Sequence, residues 1–150
     1  MNVKRILNEE SILLNLQGAT KEAIIQEMID FLTAKSSIKD RDAALKAVMD
    51  REQKMSTGMQ HGVAIPHGKT DSVERLVAML AFKREGIDFG SMDGNPSTIF
   101  LMTLSPVKQT GPHIQFLSEI SQILNDPVRR ETLLSAPSVA EVLRILSASG

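Results

Sequence analysis

The sequence predicts an α/β fold in which helices cover a central β-sheet. Three observations support this prediction: apolar residues recur at helical spacing in the first third of the chain, nearly continuous apolar runs of strand length occupy residues 76–82 and 97–104, and helical spacing returns after residue 112. The 150 residues are 42% apolar, which is enough for one compact domain spanning residues 1–150.

Two helices are expected before the sheet. An apolar stretch at residues 11–16 first predicts a strand or an extended entry segment. Thr20 is then a suitable N-cap for a helix over about residues 21–35, and Asp40 can cap a second helix that ends near residues 51–53. One face of the second helix carries Leu45, Val48, Met49 and Glu52.

The middle of the chain predicts the central strands. The runs at residues 76–82 and 97–104 lack polar alternation, which is typical of strands buried on both faces. Asp93-Gly94 predicts a hairpin-type turn between residues 87–89 and Ser97.

Three helices are expected after the sheet. Pro112 suits the first turn of a helix, and Asp126-Pro127 suits the start of the next. Ser138, with Glu141 three residues later, forms a capping box for the last one.

The composition excludes several functions. There is no cysteine, so disulfides and thiolate catalysis are impossible. The net charge of −1 is spread without long single-sign runs, which argues against a nucleic-acid partner. No apolar run approaches the roughly 20 residues that span a bilayer, and the first residues do not resemble a signal peptide. We therefore expect a cytoplasmic protein with no direct membrane insertion.

His67 is the first candidate for chemistry. Residues 63–65 are apolar and Pro66 stops them, so we expect a short strand that ends at His67, with Gly68 giving room at a tight turn. Ligands usually bind at the carboxyl ends of strands in open α/β sheets. A histidine that only caps the strand fits the same pattern equally well.

His113 and Arg51 are the other candidates. His113 falls in the first turn of a predicted helix, where a neutral imidazole could donate to a phosphoryl oxygen, although a solvent-facing polar residue is also common there. Arg51 closes the second helix, and its guanidinium suits either bidentate phosphate binding or a solvated helix end.

Other sites are less well supported. The glycines near Thr57 lack the spacing of a P-loop, which disfavours a nucleotide site. His61 and His67 bracket a proline and cannot be a helical zinc pair. The eight methionines are interpreted as core filling. A small histidine-dependent metallohydrolase is the remaining alternative, and elemental analysis would test it.

A motif around His67 identifies a family. Residues 51–69, REQKMSTGMQHGVAIPHGK, resemble the signature of the type-2 IIA domains of the bacterial phosphoenolpyruvate-dependent sugar phosphotransferase system. This fructose/mannitol class includes the nitrogen-regulatory IIA proteins. The segment Gly86-Ile87-Asp88-Phe89, Asp93-Gly94 and the His113 helix resemble later landmarks of the family, whereas Gln60 stands where the family usually has glycine. The resemblance implies a mixed β-sheet flanked by helices.

The resemblance also implies a function. His67 would take a phosphoryl group from the phosphocarrier HPr and pass it to a cysteine of a IIB domain or subunit. His113 matches the second active-site histidine, Arg51 a phosphate-binding arginine and Thr57 a loop hydroxyl near the phosphate. No cofactor or metal is implied, and both partners would dock on a modest apolar patch around His67. The alternative within the family is a regulatory protein that is phosphorylated on the same histidine and acts by binding other proteins.

Overall fold

The computed structural model describes residues 3–147, without the side chain of Lys4. In chain order the elements are α1 (Val3–Ile6), β1 (Ile12–Leu13), α2 (Lys21–Ala34), α3 (Arg41–Lys54), β2 (Val63–Ala64), β3 (His67–Lys69), β4 (Val77–Ile87), β5 (Ser97–Ser105), α4 (Gly111–Leu124), α5 (Pro127–Leu134) and α6 (Val139–Ser147). Helices therefore precede and follow the sheet, as expected.

The sheet is mixed. Its strands run in the order β1-β4-β5-β2, and β3 also pairs with β5. Strands β4 and β5 are antiparallel, whereas β1, β2 and β3 each pair in parallel with one of them. This confirms the mixed α/β architecture that the sequence resemblance implied.

The two central strands divide the apolar core into two layers. Side chains of a strand alternate between the faces of its sheet. Leu80 and Leu101 therefore contribute to the layer beneath α4 and α6, whereas Met79 and Phe100 contribute to the layer beneath α2 and α3. These strands are buried on both faces, as their unbroken apolar runs predicted.

The N-caps proposed for α2 and α3 are confirmed. Thr20 accepts a hydrogen bond from the backbone of Ala23, and Asp40 accepts one from Ala43. Within residues 3–147, no helix combines the length and the apolar character that a bilayer crossing requires.

Two local predictions were incomplete. Of residues 11–16, predicted as a strand or an extended entry segment, only β1 pairs in the sheet, and the short helix α1 before it was not predicted. Strand β4 continues past Phe82 to Ile87, across a bulge opposite β5. Asp93-Gly94 lies between the antiparallel strands β4 and β5, as predicted, in a turn where the Gly94 amide donates to the Ser91 carbonyl.

Candidate functional site

His67 begins a strand. The sequence predicted one strand ending at this histidine, but Pro66 separates β2 from β3, and His67 is the first residue of β3. Proline has no N–H to donate to a neighbouring strand, so the ladder is interrupted at Pro66. The Pro66 carbonyl still accepts from the Thr103 amide at 3.1 Å, and this keeps the chain beside β5 through the break.

The ladder directs His67 towards α4. His67 is paired with Thr103 of β5, and directly paired residues point to the same face of a sheet. The next residue, Gly68, points to the opposite face, where a Cβ would lie 3.1 Å from the carbonyl carbon and Cβ of Ala47. A side chain at residue 68 would therefore be in tight contact with α3, and glycine lets this helix pack closely against β3.

One ring nitrogen of His67 is held by the chain. Its Nδ1 lies 2.9 Å from the carbonyl oxygen of Ile65, to which it donates a hydrogen bond. Whenever this ring is neutral, its proton is therefore on Nδ1 and Nε2 keeps the lone pair. The side chain is partly exposed, and a role of Nε2 as nucleophile stays a prediction.

His113 lies beside His67. The two ring centroids are 5.8 Å apart with an interplanar angle of 43°. His113 stands in the first turn of α4, as predicted, and its Nε2 lies 2.9 Å from the hydroxyl oxygen of Thr103. Strand β5 therefore supports both histidines through the same residue.

Burial lowers the pKa of His113 below its ordinary value of 6.5. The positive charge of Lys69 lowers this pKa further, and so does a positive charge on His67 whenever that ring is protonated. Lys69 is fixed near the start of α4 because its Nζ donates to the carbonyl of Gln109 at 2.9 Å. Burial and these charges therefore all favour the neutral form of the His113 imidazole.

Replacing Lys69 tests this electrostatic arrangement. Lys69→Gln removes one of the charges that lower the pKa of His113, so an NMR titration should give a higher pKa than in the wild type. Lys108→Gln changes a neighbouring exposed lysine and should leave the titration unchanged.

The lowered pKa of His113 also affects stability. Unfolding restores the ordinary pKa of this histidine, so between the pKa of the folded protein and about 6.5 the unfolded chain binds more protons than the folded one. The contribution of His113 to the free energy of unfolding therefore falls as the pH drops through that window.

Arg51 lies at the end of α3 and contacts its own loop. One guanidinium nitrogen, Nη1, donates to the carbonyl of Met55 at 2.7 Å. Within residues 3–147, no hydrogen bond joins Arg51 to His67 or His113. The structure brings the two histidines together, and a phosphate-binding role for Arg51 stays a prediction.

Thr57 is buried rather than exposed on its loop. Its hydroxyl donates to Glu52 Oε1 at 2.5 Å, and its amide donates to Glu52 Oε2 at 2.8 Å. The Thr57 carbonyl accepts from the Ile65 amide at 3.0 Å, which ties this loop to the segment before His67. A phosphate-binding role for Thr57 stays a prediction.

Glu52 is a residue whose importance the sequence analysis missed. Its carboxylate is 3% exposed and also forms an ion pair with Lys21 at 2.8 Å. Lys21 Nζ lies 4.7 Å from the centroid of the Phe89 ring. The signal was present, because Glu52 shares the otherwise apolar face of α3, where a carboxylate needs buried partners.

Several large apolar side chains are exposed. Met55 is 71% exposed and Met92 is 70% exposed, so the interpretation of all methionines as core filling was wrong. Ile114, directly after His113, is 61% exposed. Ile114 therefore offers apolar surface one position along α4 from His113, and the apolar docking patch around His67 stays a prediction.

No group of three or more His, Cys, Asp or Glu side chains suited to a metal ion occurs between residues 3 and 147. The chemistry that the arrangement offers is nucleophilic. Nε2 of His67 can form a covalent bond while the proton stays on Nδ1, which donates to the Ile65 carbonyl, and the His113 imidazole stands beside it and can stabilise developing charge.

Solved IIA components of the mannitol and nitrogen-regulatory type share this fold. Residues 5–149 match the model of the family "Phosphoenolpyruvate-dependent sugar phosphotransferase system, EIIA 2". The chain belongs to this family.

Relatives include both branches of the family. The chain is 38% identical to the PTS system fructose-specific EIIA component of Haloferax volcanii, over 97% of this chain and 95% of that one. The crystal structure of nitrogen regulatory protein IIA-Ntr from Neisseria meningitidis is similar, with a TM-score of 0.86, 30% identity and coverage of 95% and 97%. The mannitol IIA in complex with phosphorylated IIB from Escherichia coli has a TM-score of 0.81 and 25% identity, with coverage of 93% and 96%.

Proposed function

We propose that this protein is a phosphoryl carrier of a sugar phosphotransferase system. His67 Nε2 takes the phosphoryl group of phosphorylated HPr and passes it to a cysteine of a IIB domain. The observation that carries the proposal is the hydrogen bond from His67 Nδ1 to the Ile65 carbonyl, because it leaves Nε2 as the nucleophile. Such an exchange would take place in the cytoplasm, where the sequence analysis expects the protein.

The proposed exchange has two steps. The N–P bond of phosphorylated HPr breaks as a bond from phosphorus to His67 Nε2 forms, and the proton stays on Nδ1, hydrogen-bonded to the Ile65 carbonyl. A cysteine thiolate of IIB then attacks phosphorus, and the bond to Nε2 breaks. Phosphoryl transfer needs positioning and charge stabilisation more than covalent machinery.

The surroundings of His67 support these steps. His113 is the nearest imidazole, and as a neutral group it can donate to a phosphoryl oxygen. The N-cap of α4, Thr110, makes no side-chain capping bond, so first-turn amides are not used by a cap. These amides and the helix dipole favour an anion.

The proposal is tested by incubation with labelled phosphoenolpyruvate, enzyme I and HPr. We expect one phosphoryl group per chain, labile in acid and stable in alkali, as a phosphoramidate should be. Omission of HPr should prevent labelling. A label that forms without HPr, or that survives acid, would contradict the proposed reaction.

Replacing His113 should affect transfer more than acceptance. In His113→Gln the side-chain amide of glutamine can keep the contact that His113 Nε2 makes with Thr103. The variant has no N–H in the place of His113 Nδ1, so the proposed donor to the phosphoryl group is lost. We expect the protein to accept phosphate on His67 and to transfer it about a hundredfold more slowly to IIB, as loss of one catalytic proton donor typically does. Single-turnover rapid-quench measurements separate the two steps, and equal transfer rates in variant and wild type would exclude this role.

The second candidate is a regulatory IIA protein. The similarity to nitrogen regulatory proteins favours it, since these relatives cover the chain as fully as the fructose-specific one. Such a protein would be phosphorylated on the same histidine and would act by binding other proteins. Two observations would distinguish the candidates. Onward transfer of the label to a IIB cysteine would favour the carrier, and so would neighbouring genes that encode a permease and IIB; a neighbouring gene for a nitrogen sigma factor would favour the regulator.

A further inference from the structure

Thr103 connects the two histidines. It is 1% exposed, it stands beside His67 in the ladder between β3 and β5, and its hydroxyl oxygen lies 2.9 Å from His113 Nε2. Among the described residues this nitrogen is the hydroxyl's only hydrogen-bond partner. Thr103 belongs to no motif that the sequence analysis singled out.

The burial of Thr103 determines which way this hydrogen bond runs. A buried hydroxyl hydrogen without an acceptor is unfavourable, so the hydroxyl donates to Nε2 while the ring is neutral. The ring proton then sits on Nδ1, because the hydrogen bond at one nitrogen of an imidazole decides which nitrogen is protonated.

Phosphorylation changes the charge near this ring. A phosphoryl group on His67 would place negative charge near His113, which favours the protonated imidazole. His67 and Lys69 of β3 are the ionisable groups that face His113, and the contact from β5 is the uncharged Thr103. A hydroxyl can reverse its role and accept from Nε2–H once the ring is protonated.

We propose that Thr103 is a positioning residue for His113, donating to Nε2 of the neutral ring and accepting from Nε2–H of the protonated ring. Nδ1 thus carries a hydrogen in both states, and the ring need not turn when it gains a proton from water. This role rests on the proposed function, because the Nδ1 hydrogen of His113 is the one that would be donated to a phosphoryl oxygen on His67.

The ring state can be read without any transfer reaction. NMR of protein labelled with ¹⁵N in the histidine rings should show His113 protonated on Nδ1 in the neutral wild type. Thr103→Val removes the hydroxyl at nearly constant volume, and a substantial fraction of the other tautomer should appear. Thr103→Ser should restore the wild-type pattern. Thr103→Ala removes the same hydroxyl and adds no bulk. It should show the same change of tautomer, and it replaces Thr103→Val if valine disturbs the fold.

Thr98→Val is the matched control, because Thr98 lies on the same strand and its hydroxyl donates to the Gly62 carbonyl at 3.4 Å. It should leave the tautomer of His113 unchanged. With IIB as acceptor, phosphorylated Thr103→Val should pass on its phosphoryl group about tenfold more slowly than the wild type, the order of loss found when the hydrogen-bond partner behind a functional histidine is removed. Thr103→Ser should react at the wild-type rate.

The outcomes separate the two proposals. A wild-type protein that takes no phosphate refutes the carrier function, whereas the tautomer measurement still decides the role of Thr103. An unchanged tautomer in Thr103→Val and Thr103→Ala overturns the positioning role even if labelling is normal. A changed tautomer with an unchanged transfer rate also overturns it, because the hydroxyl would then orient the ring without serving the reaction.

Discussion

Replacing His67 by Asn should reduce the phosphoryl label to background. The asparagine amide can still donate to the Ile65 carbonyl, so the segment after Pro66 should keep its position. What the variant lacks is Nε2, the only atom of this side chain that can form a bond to phosphorus. Labelling with phosphoenolpyruvate, enzyme I and HPr, read by radioactivity and intact mass, measures the loss.

His61→Asn is the matched control. His61 lies six positions earlier, is exposed, and has a φ of +63°, a left-handed conformation that Asn tolerates well. This variant loses an imidazole from the loop between α3 and β2 and should be labelled like the wild type. A fully labelled His67→Asn protein would place the acceptor elsewhere and refute the proposed site.

Replacing Glu52 by Ala should lower the free energy of unfolding by about 3 kcal/mol, the usual loss when one partner of a buried ion pair is removed. The change leaves Lys21 without its carboxylate and leaves both the amide and the hydroxyl of Thr57 without an acceptor. Urea denaturation followed by circular dichroism measures the loss. Asp50→Ala, on the same helix, breaks only the exposed pair with Lys46 and should leave the stability nearly unchanged.

Glu52→Ala should also slow phosphoryl acceptance. The loop held by Glu52 is hydrogen-bonded to Ile65, whose carbonyl holds the His67 ring. Transfer rates measured well below the unfolding transition separate this effect from global stability. A variant that is destabilised but reacts at the wild-type rate would limit Glu52 to a structural role.

Local signals in the sequence predicted most of the architecture. Thr20 and Asp40 cap the helices they were expected to cap, since a capping residue followed by apolar periodicity needs no tertiary information. The break at Pro66 was misplaced, because continuation of pairing beyond a proline depends on the neighbouring strand. In this protein the Pro66 carbonyl and β5 maintain that pairing.

The site was predicted in part. His67 could be singled out by its motif and His113 by its place in a helix turn, but their adjacency depends on the register between β3 and β5. Thr103 lies inside an apolar run and carries no local signal. Glu52 did carry one, since a carboxylate on an apolar helix face requires partners, but Lys21 and Thr57 could be identified only in three dimensions.

The close contact between Gly68 and Ala47 has a consequence for how phosphate would be handed over. A backbone pressed against a helix on one side, and tethered through its imidazole on the other, has little freedom to swing. Donor and acceptor would each have to dock against a stationary His67 ring. Phosphoryl transfer would then depend on diffusion of the two partner proteins and not on movement of a segment of this protein.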